Sequence, residues 1–350
     1  MSVGICLVNN PHSLQWSPFQ DNLLVVATSN RPNHTPISGI LYFLSFHPKN
    51  QVEVEDQIQT NVGMDQVVWS QRDKNTVLSS CDDSTLRFFD LKNLDVMYRE
   101  WLIPMSDSKQ AQNNKIKSLD WDRISLEWIL TGGPRDQCNA YNVLQNDEEF
   151  LKGPIYNFQH AASVHDSQWN THQSGSFFSC DRSGLVHLWD LSDTTSPSSS
   201  FKIHNQTCAI KMDVNIFDEY SVALAGFDSS IMTYDLRKTS APKSLVRSAH
   251  FSLINQIKWS PHTQHLLATS STDRTLRIWD MREGNQSFDI ENTKQEQEDI
   301  ITSYGGKVSS FKSQKLDDWV TNLDWNCHEV GLLALCCNDH LVKAYNIRSD

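Results

Sequence analysis

Residues Leu253 to Arg282 read LINQIKWSPHTQHLLATSSTDRTLRIWDMR. Three short runs rich in β-favouring residues, INQIKW, HLLATSS and TLRIWD, are separated by SPH and by the TDR turn, which predicts three antiparallel strands and no helix. Three strands this short cannot bury both faces of their own sheet, so the unit must recur elsewhere in the chain.

Copies are found by aligning the end of the first strand with the aromatic-Asp or aromatic-Asn end of the third. The first-strand anchors are Trp16, Trp69, Trp121, Trp169, Met212, Trp259 and Trp325, spaced 43 to 66 residues apart. The third strands end at Phe88 to Asp90, Tyr141-Asn142, Trp189-Asp190, Tyr234-Asp235, Trp279-Asp280 and Tyr345-Asn346, with a weaker first copy at Tyr42 to Ser45. This is the spacing of four-stranded blades. The expected fold is all-β, a closed seven-bladed β-propeller occupying residues 1–350 as one domain. SVGICLV (2–8) is expected to supply the missing outer strand of the last blade and so close the ring. A mobile insertion is expected over about 283–315, where the polar run ENTKQEQED lies.

Eleven Trp and 39% hydrophobic residues suffice for a large core. A formal charge of −12 argues against nucleic acid or an anionic membrane surface as the main partner. The eight Cys include no CxxC pair and are expected to be reduced thiols of a cytosolic protein. MSVGICLVNN lacks the basic region and long apolar run of a signal peptide, and no stretch approaches a membrane span, so no membrane insertion is expected.

Nothing points to catalysis or to a cofactor. Phosphate loops, HExxH and GxSxG are absent, and His165-Asp166 and His262 to His265 lack the companion ligands a metal centre requires. His250, Thr269, Asp273 and Trp279 sit at the spacing of an internal hydrogen-bond relay. His160, His204, Asp83, Asp228 and Asp339 hold matching positions in other blades. Groups that recur with the repeat read as structural, because a catalytic site would occur once.

SSTDRTLRIWD and CDRSGLVHLWD resemble the WD repeat, and the likeness extends along the chain. A narrower resemblance lies in the order of particular phrases. HSLQWSPFQDNLLVVATSN followed by SGILYFL, then GMDQVVWSQRDKNTVLSSCDDSTLRFFD, the stretch from Gly226 to Asp280, and WVTNLDWNCHEVGLLALCCND are similar to successive parts of the receptors for the N-terminal peroxisomal targeting signal. The resemblance implies a cytoplasmic receptor that cycles to the peroxisome. It would bind the short, basic, amphipathic N-terminal helix of matrix proteins and deliver this cargo with a co-receptor to the docking complex, without catalysing a reaction.

Blade geometry places the residues four before each anchor around one mouth of the central channel: His12, Asp65, Lys117, His165, Cys208, Asn255 and Thr321. With Lys115, Leu253, Asp317, Asp318 and Trp319 just upstream, they make up the candidate peptide site. Asp65 would attract the signal's basic residue, and Trp319 and Leu253 would take its apolar side. Where the family carries an acidic residue at the start of the third blade, this chain has Lys115, followed by Lys117, which implies an altered signal. A competing expectation is a substrate receptor of a cullin-type ubiquitin ligase, since TYDLR and IWDMR resemble an adaptor-docking box through Arg237 and Arg282. A third is a generic scaffold of chromatin or vesicle-tethering machinery.

Overall fold

The computed structural model describes residues 2–30, 38–47, 51–92, 97–102, 115–133, 136–145, 153–203, 208–282 and 310–347. These residues form seven four-stranded antiparallel sheets and no helix. The first strands are Asn10–Trp16, Met64–Trp69, Ser118–Trp121, Val164–Trp169, Ala209–Val214, Ile254–Trp259 and Val320–Trp325. Each contacts the first strand of the next sheet, and the last contacts the first, so the seven strands close a ring. The molecule is a seven-bladed propeller.

Closure occurs in the seventh blade. Ser2–Cys6 pairs antiparallel with Leu341–Asn346 as its outer strand, and the Leu7 amide continues the ladder to the His340 carbonyl at 2.7 Å. Apolar side chains gather in seven separate cores, one at each junction between neighbouring blades. The anchor tryptophans need such junctions. Trp69 Nε1 donates to the Gln15 carbonyl of the preceding blade and Trp325 Nε1 to that of Lys258, both at 3.1 Å.

The fifth anchor differs from the expectation. Val214 pairs with Val222 as Trp259 pairs with Leu267, so the equivalent residue is Val214 and not Met212. The ring position then shifts from Cys208 to Ile210, which lies at the β-bulge that His165 and Asn255 occupy in their blades. The insertion expected over 283–315 lies mostly outside the described residues. Its end, Ser310–Lys315, forms the outer strand of the sixth blade.

In the sixth blade His250 Nδ1 donates to Asp273 Oδ2 at 3.0 Å. Its Nε2 accepts from Thr269 Oγ1 at 2.7 Å, and that oxygen accepts from Trp279 Nε1 at 2.8 Å. With these roles the imidazole is neutral, its one proton on Nδ1. Burial holds the His250 pKa below its ordinary value, and Asp273, although buried, is held low by His250.

The fourth blade repeats the device with His160, Ser179 and Trp189. His204 lies outside the described residues. Desolvation, then the His187 ring, brings the His160 pKa down to about 4. A histidine kept neutral in the folded state favours folding at neutral pH over acid pH, because the unfolded chain takes up the proton first. From about pH 7.5 to about pH 5, wild type is expected to lose about 2 kcal/mol more stability than His160→Gln, as read by urea unfolding. Parallel losses in the two proteins would show that His160 is not held neutral.

Candidate functional site

Successive first-strand residues point to opposite faces of their sheet, so the residues one before each anchor form a layer of their own around the ring. The residues immediately before the anchors are Gln15, Val68, Asp120, Gln168, Asp213, Lys258 and Asp324. Five of them accept the anchor amide of the next blade. Asp324 accepts from Trp16 at 3.0 Å, Gln15 from Trp69 at 2.6 Å, Asp120 from Trp169 at 2.8 Å, Gln168 from Val214 at 3.1 Å and Asp213 from Trp259 at 2.7 Å. Val68 has no acceptor. Lys258 instead reaches Asp213 at 3.1 Å, where the attraction of Asp213 and Asp324 outweighs the cost of burial and raises its pKa. Burial pushes Asp324 up to about 6.

Gln15, Gln168, Asp213, Lys258 and Asp324 border a cavity of about 190 Å³ at the anchor end of the channel. Their bonds tie each of these blades to the next. No group of His, Cys, Asp and Glu among the described residues could hold a metal ion. This layer was not anticipated from the sequence. Polar residues recurring one position before each apolar anchor were the available signal.

The opposite mouth is built by the starts of the first strands and the turns between second and third strands, and it falls into three sectors. The first lies at blades one to three. Asp65 is only 5% exposed, and the Lys115 ammonium forms an ion pair with it and a second with Asp82 at 3.4 Å. Asp82 also accepts from Ser29 Oγ at 2.9 Å, a contact that requires Gly63, because a Cβ there would lie 2.0 Å from Ser29 Oγ. Asp65 is therefore not the open carboxylate expected for a cationic peptide. The Lys115 ammonium neutralises it.

The second sector, at blades three to five, mixes the cations Lys117, Arg182 and Lys211 with the carboxylates of Asp136, Asp166 and Asp228. Lys117 donates to Ser163 Oγ at 3.1 Å, the Arg182 amide to the Ser163 carbonyl at 2.9 Å, and Lys211 pairs with Asp166 at 3.5 Å. His165 sits among them. Burial, followed by Lys117, Arg182 and Lys211, lowers its pKa to about 4, and its Nε2 is enclosed without a hydrogen-bond partner among the described residues.

The third sector, at blades five to seven, is an exposed apolar arc. Phe227 is 60% exposed in the turn after Ser221–Gly226. Phe251 at 88% and Leu253 at 37% precede Ile254–Trp259, and Trp319 at 51% precedes Val320–Trp325. Four apolar side chains in three consecutive blades, on one face, form a patch of the kind that marks a binding surface. Their backbones are fixed: the Phe227 amide donates to the Cys208 carbonyl, Phe251 to Asp273 Oδ2, and Leu253 and Trp319 accept from Thr272 and Asn338. Asp318 borders the arc, its carboxylate accepting from the Trp319 amide at 2.8 Å and from Asn338 Nδ2 at 3.1 Å, and Asp317 beside it is exposed.

Asn255 and Thr321 are tied to the next blade, through the Val320 carbonyl at 2.7 Å and the Pro11 carbonyl at 2.9 Å. They join blades. Arg237 and Arg282 lie at the far mouth, each bonded to the Asp two residues earlier, Asp235 and Asp280. Arg237 also stacks over Tyr220, with 4.4 Å between guanidinium and ring centre. Of the apolar arc, Leu253 and Trp319 were anticipated, whereas Phe227 and Phe251 were not.

The family model "WD domain, G-beta repeat" matches residues 243–280, the outer strand of the fifth blade and the first three strands of the sixth. The peroxisomal targeting signal 2 receptor of Saccharomyces cerevisiae is 23% identical over 356 aligned residues, covering 90% of this chain and 91% of that protein. The chain is a WD-repeat propeller that resembles the peroxisomal targeting signal 2 receptors. The receptor of Schizosaccharomyces pombe is 27% identical across 77% of this chain and 81% of its own length. Histone acetyltransferase type B subunit 2 of Debaryomyces hansenii is 22% identical, but the match covers 65% of this chain and 54% of that protein. The likeness to the receptors thus extends around most of the ring. No helix among the described residues is long and apolar enough to cross a membrane.

Proposed function

We propose that this protein is a receptor for an amphipathic N-terminal targeting helix of peroxisomal matrix proteins, cycling between cytosol and peroxisome and acting by binding and release, without catalysis. The observation that carries the reading is the apolar arc of Phe227, Phe251, Leu253 and Trp319 on a chain similar to such receptors over 90% of its length. The helix lays its apolar face on the arc, as amphipathic helices do in hydrophobic grooves. Its basic residue turns to Asp317 and Asp318 at the edge of Trp319, a role the buried and paired Asp65 cannot fill. A co-receptor covers the remaining polar side of the helix and links the loaded complex to the docking machinery.

Fluorescence-anisotropy titration of a labelled peroxisomal targeting signal 2 peptide, with and without cytosolic extract to supply a co-receptor, tests the reading. Saturable binding is expected, with about a tenfold loss for the double substitution Asp317→Asn and Asp318→Asn from the lost ion pairing. Absence of binding by folded protein in extract contradicts it.

A further inference from the structure

The outermost strands of the blades form the side wall of the ring, away from the channel. Gln51–Thr60 in the first blade runs to ten residues, whereas the outer strands of the other six have three to six, so it presents the longest edge. Its inner edge pairs with Gly39–His47, and its outer edge pairs with no strand among the described residues. A bulge sets Leu44 opposite Val54 and Phe43 opposite Asp56, so Glu55 is the extra residue and the regular part of the edge ends at Val54. Beyond the bulge the Asp56 carboxylate accepts from the Gln57 amide at 3.0 Å.

Apolar and acidic residues alternate along this stretch. Val52 packs against the core between the seventh and first blades, and Val54, two residues on along the same face, is 42% exposed. Glu53 faces the other way, and both Glu53 and Glu55 are exposed. Val54 and Glu55 stand in an open groove of about 490 Å³, whose other wall includes Leu7 and Val8, just past the outer strand of the seventh blade. Val8 is 77% exposed. Among the described residues no lysine or arginine lines the groove, and neither glutamate forms an ion pair.

An unpaired sheet edge takes up another strand through its backbone groups, and the side chains decide which strand is accepted. Opposite this edge an apolar residue matches each valine and a basic residue each glutamate, at alternate positions. A second copy of this chain does not supply that pattern, because antiparallel pairing about Val54 sets Glu53 opposite Glu55. The charge that keeps acidic chains off the edge admits a basic one. We infer that the outer edge of Gln51–Thr60 binds an extended segment of a partner protein in which lysine or arginine alternates with apolar residues, added antiparallel as a fifth strand of the first blade. The segment's apolar side chains cover Val54 and Val8, and its basic side chains face Glu53 and Glu55. This edge lies on the side wall, at the far side of its sheet from the channel, so the inference does not rest on the receptor reading.

A labelled peptide of sequence Lys-Val-Lys-Val-Lys-Val-Lys tests it against Lys-Lys-Lys-Lys-Val-Val-Val, which has the same composition and charge without the alternation. By fluorescence anisotropy the alternating peptide is expected to bind saturably and about tenfold more tightly than the block peptide. Combining Glu53→Lys with Glu55→Lys is expected to weaken its binding by at least about tenfold. Both glutamates are exposed, so their reversal leaves the fold intact, which a thermal melt checks. Backbone hydrogen exchange is expected to slow over Gln51–Thr60 when the alternating peptide is bound. Equal affinity for the two peptides overturns the proposal, because net charge alone would then account for binding. So does unchanged exchange over this strand, or binding that survives the double reversal.

Discussion

Replacing Trp319 and Phe251 together by alanine is expected to weaken binding of a targeting-signal peptide by at least about 100-fold while leaving the thermal unfolding midpoint nearly unchanged. Buried aromatic anchors at interfaces are worth about 2 kcal/mol each, and the discount from full additivity allows for their neighbourhood. Both side chains are more than half exposed in the free protein, so their removal opens no cavity. Phe251 has one side-chain attachment of note, the Arg277 guanidinium 5.6 Å from its ring centre, and Arg277 also bonds within its blade to Thr275. The backbone of the arc is secured through main-chain groups that alanine retains. Anisotropy and a thermal melt on the same preparation separate the two effects. Equal loss of binding and of stability would identify these aromatics as parts of the fold.

The second large effect concerns the ring. Deleting residues 2–8 removes Ser2–Cys6 from the seventh blade, exposes the hydrogen-bonding edge of Leu341–Asn346, and takes Leu7 out of the core shared by the seventh and first blades. Among the described residues Ser2–Cys6 is the only strand that pairs with this edge. The truncated protein is expected to lose its cooperative unfolding transition or to melt at least about 10 °C lower, a shift corresponding to several kcal/mol in a chain of this size. Adding the deleted segment back as a separate peptide should restore part of the loss. A truncated protein that melts like wild type would show that the seventh blade stands on three strands.

The number of blades was legible because every junction requires a large apolar anchor at the end of a first strand, and tryptophan supplies six of them. The exception shows what the pattern cannot resolve. Met212 and Val214 both face the core of their junction, so a register error of two residues leaves the alternation of inward and outward side chains unchanged. Only the pairing of Val214 with Val222 separates them.

The relay in the sixth blade was equally legible, because its four residue types have few other reasons to share that spacing. The proposed binding face was less so. Trp319 and Leu253 stood out as apolar residues outside strands, but Phe227 and Phe251 occupy turn and loop positions where attention falls on the Asp and His beside them. Asp65 read as an open acid because no local pattern shows that Lys115 of the next blade reaches across to it. Contacts across blade junctions join residues far apart in sequence, and they decide which charges remain available.

The central claim is that the signal helix docks on the mouth bearing Phe227, Phe251, Leu253 and Trp319. The most direct measurement is photo-crosslinking from a benzophenone placed on the apolar face of a targeting-signal peptide, with the attachment sites read by mass spectrometry. The account predicts adducts concentrated on Phe251, Leu253, Trp319 and their immediate neighbours, suppressed by excess unlabelled peptide. Adducts concentrated at the far mouth, around Tyr220 and Arg237, would contradict it.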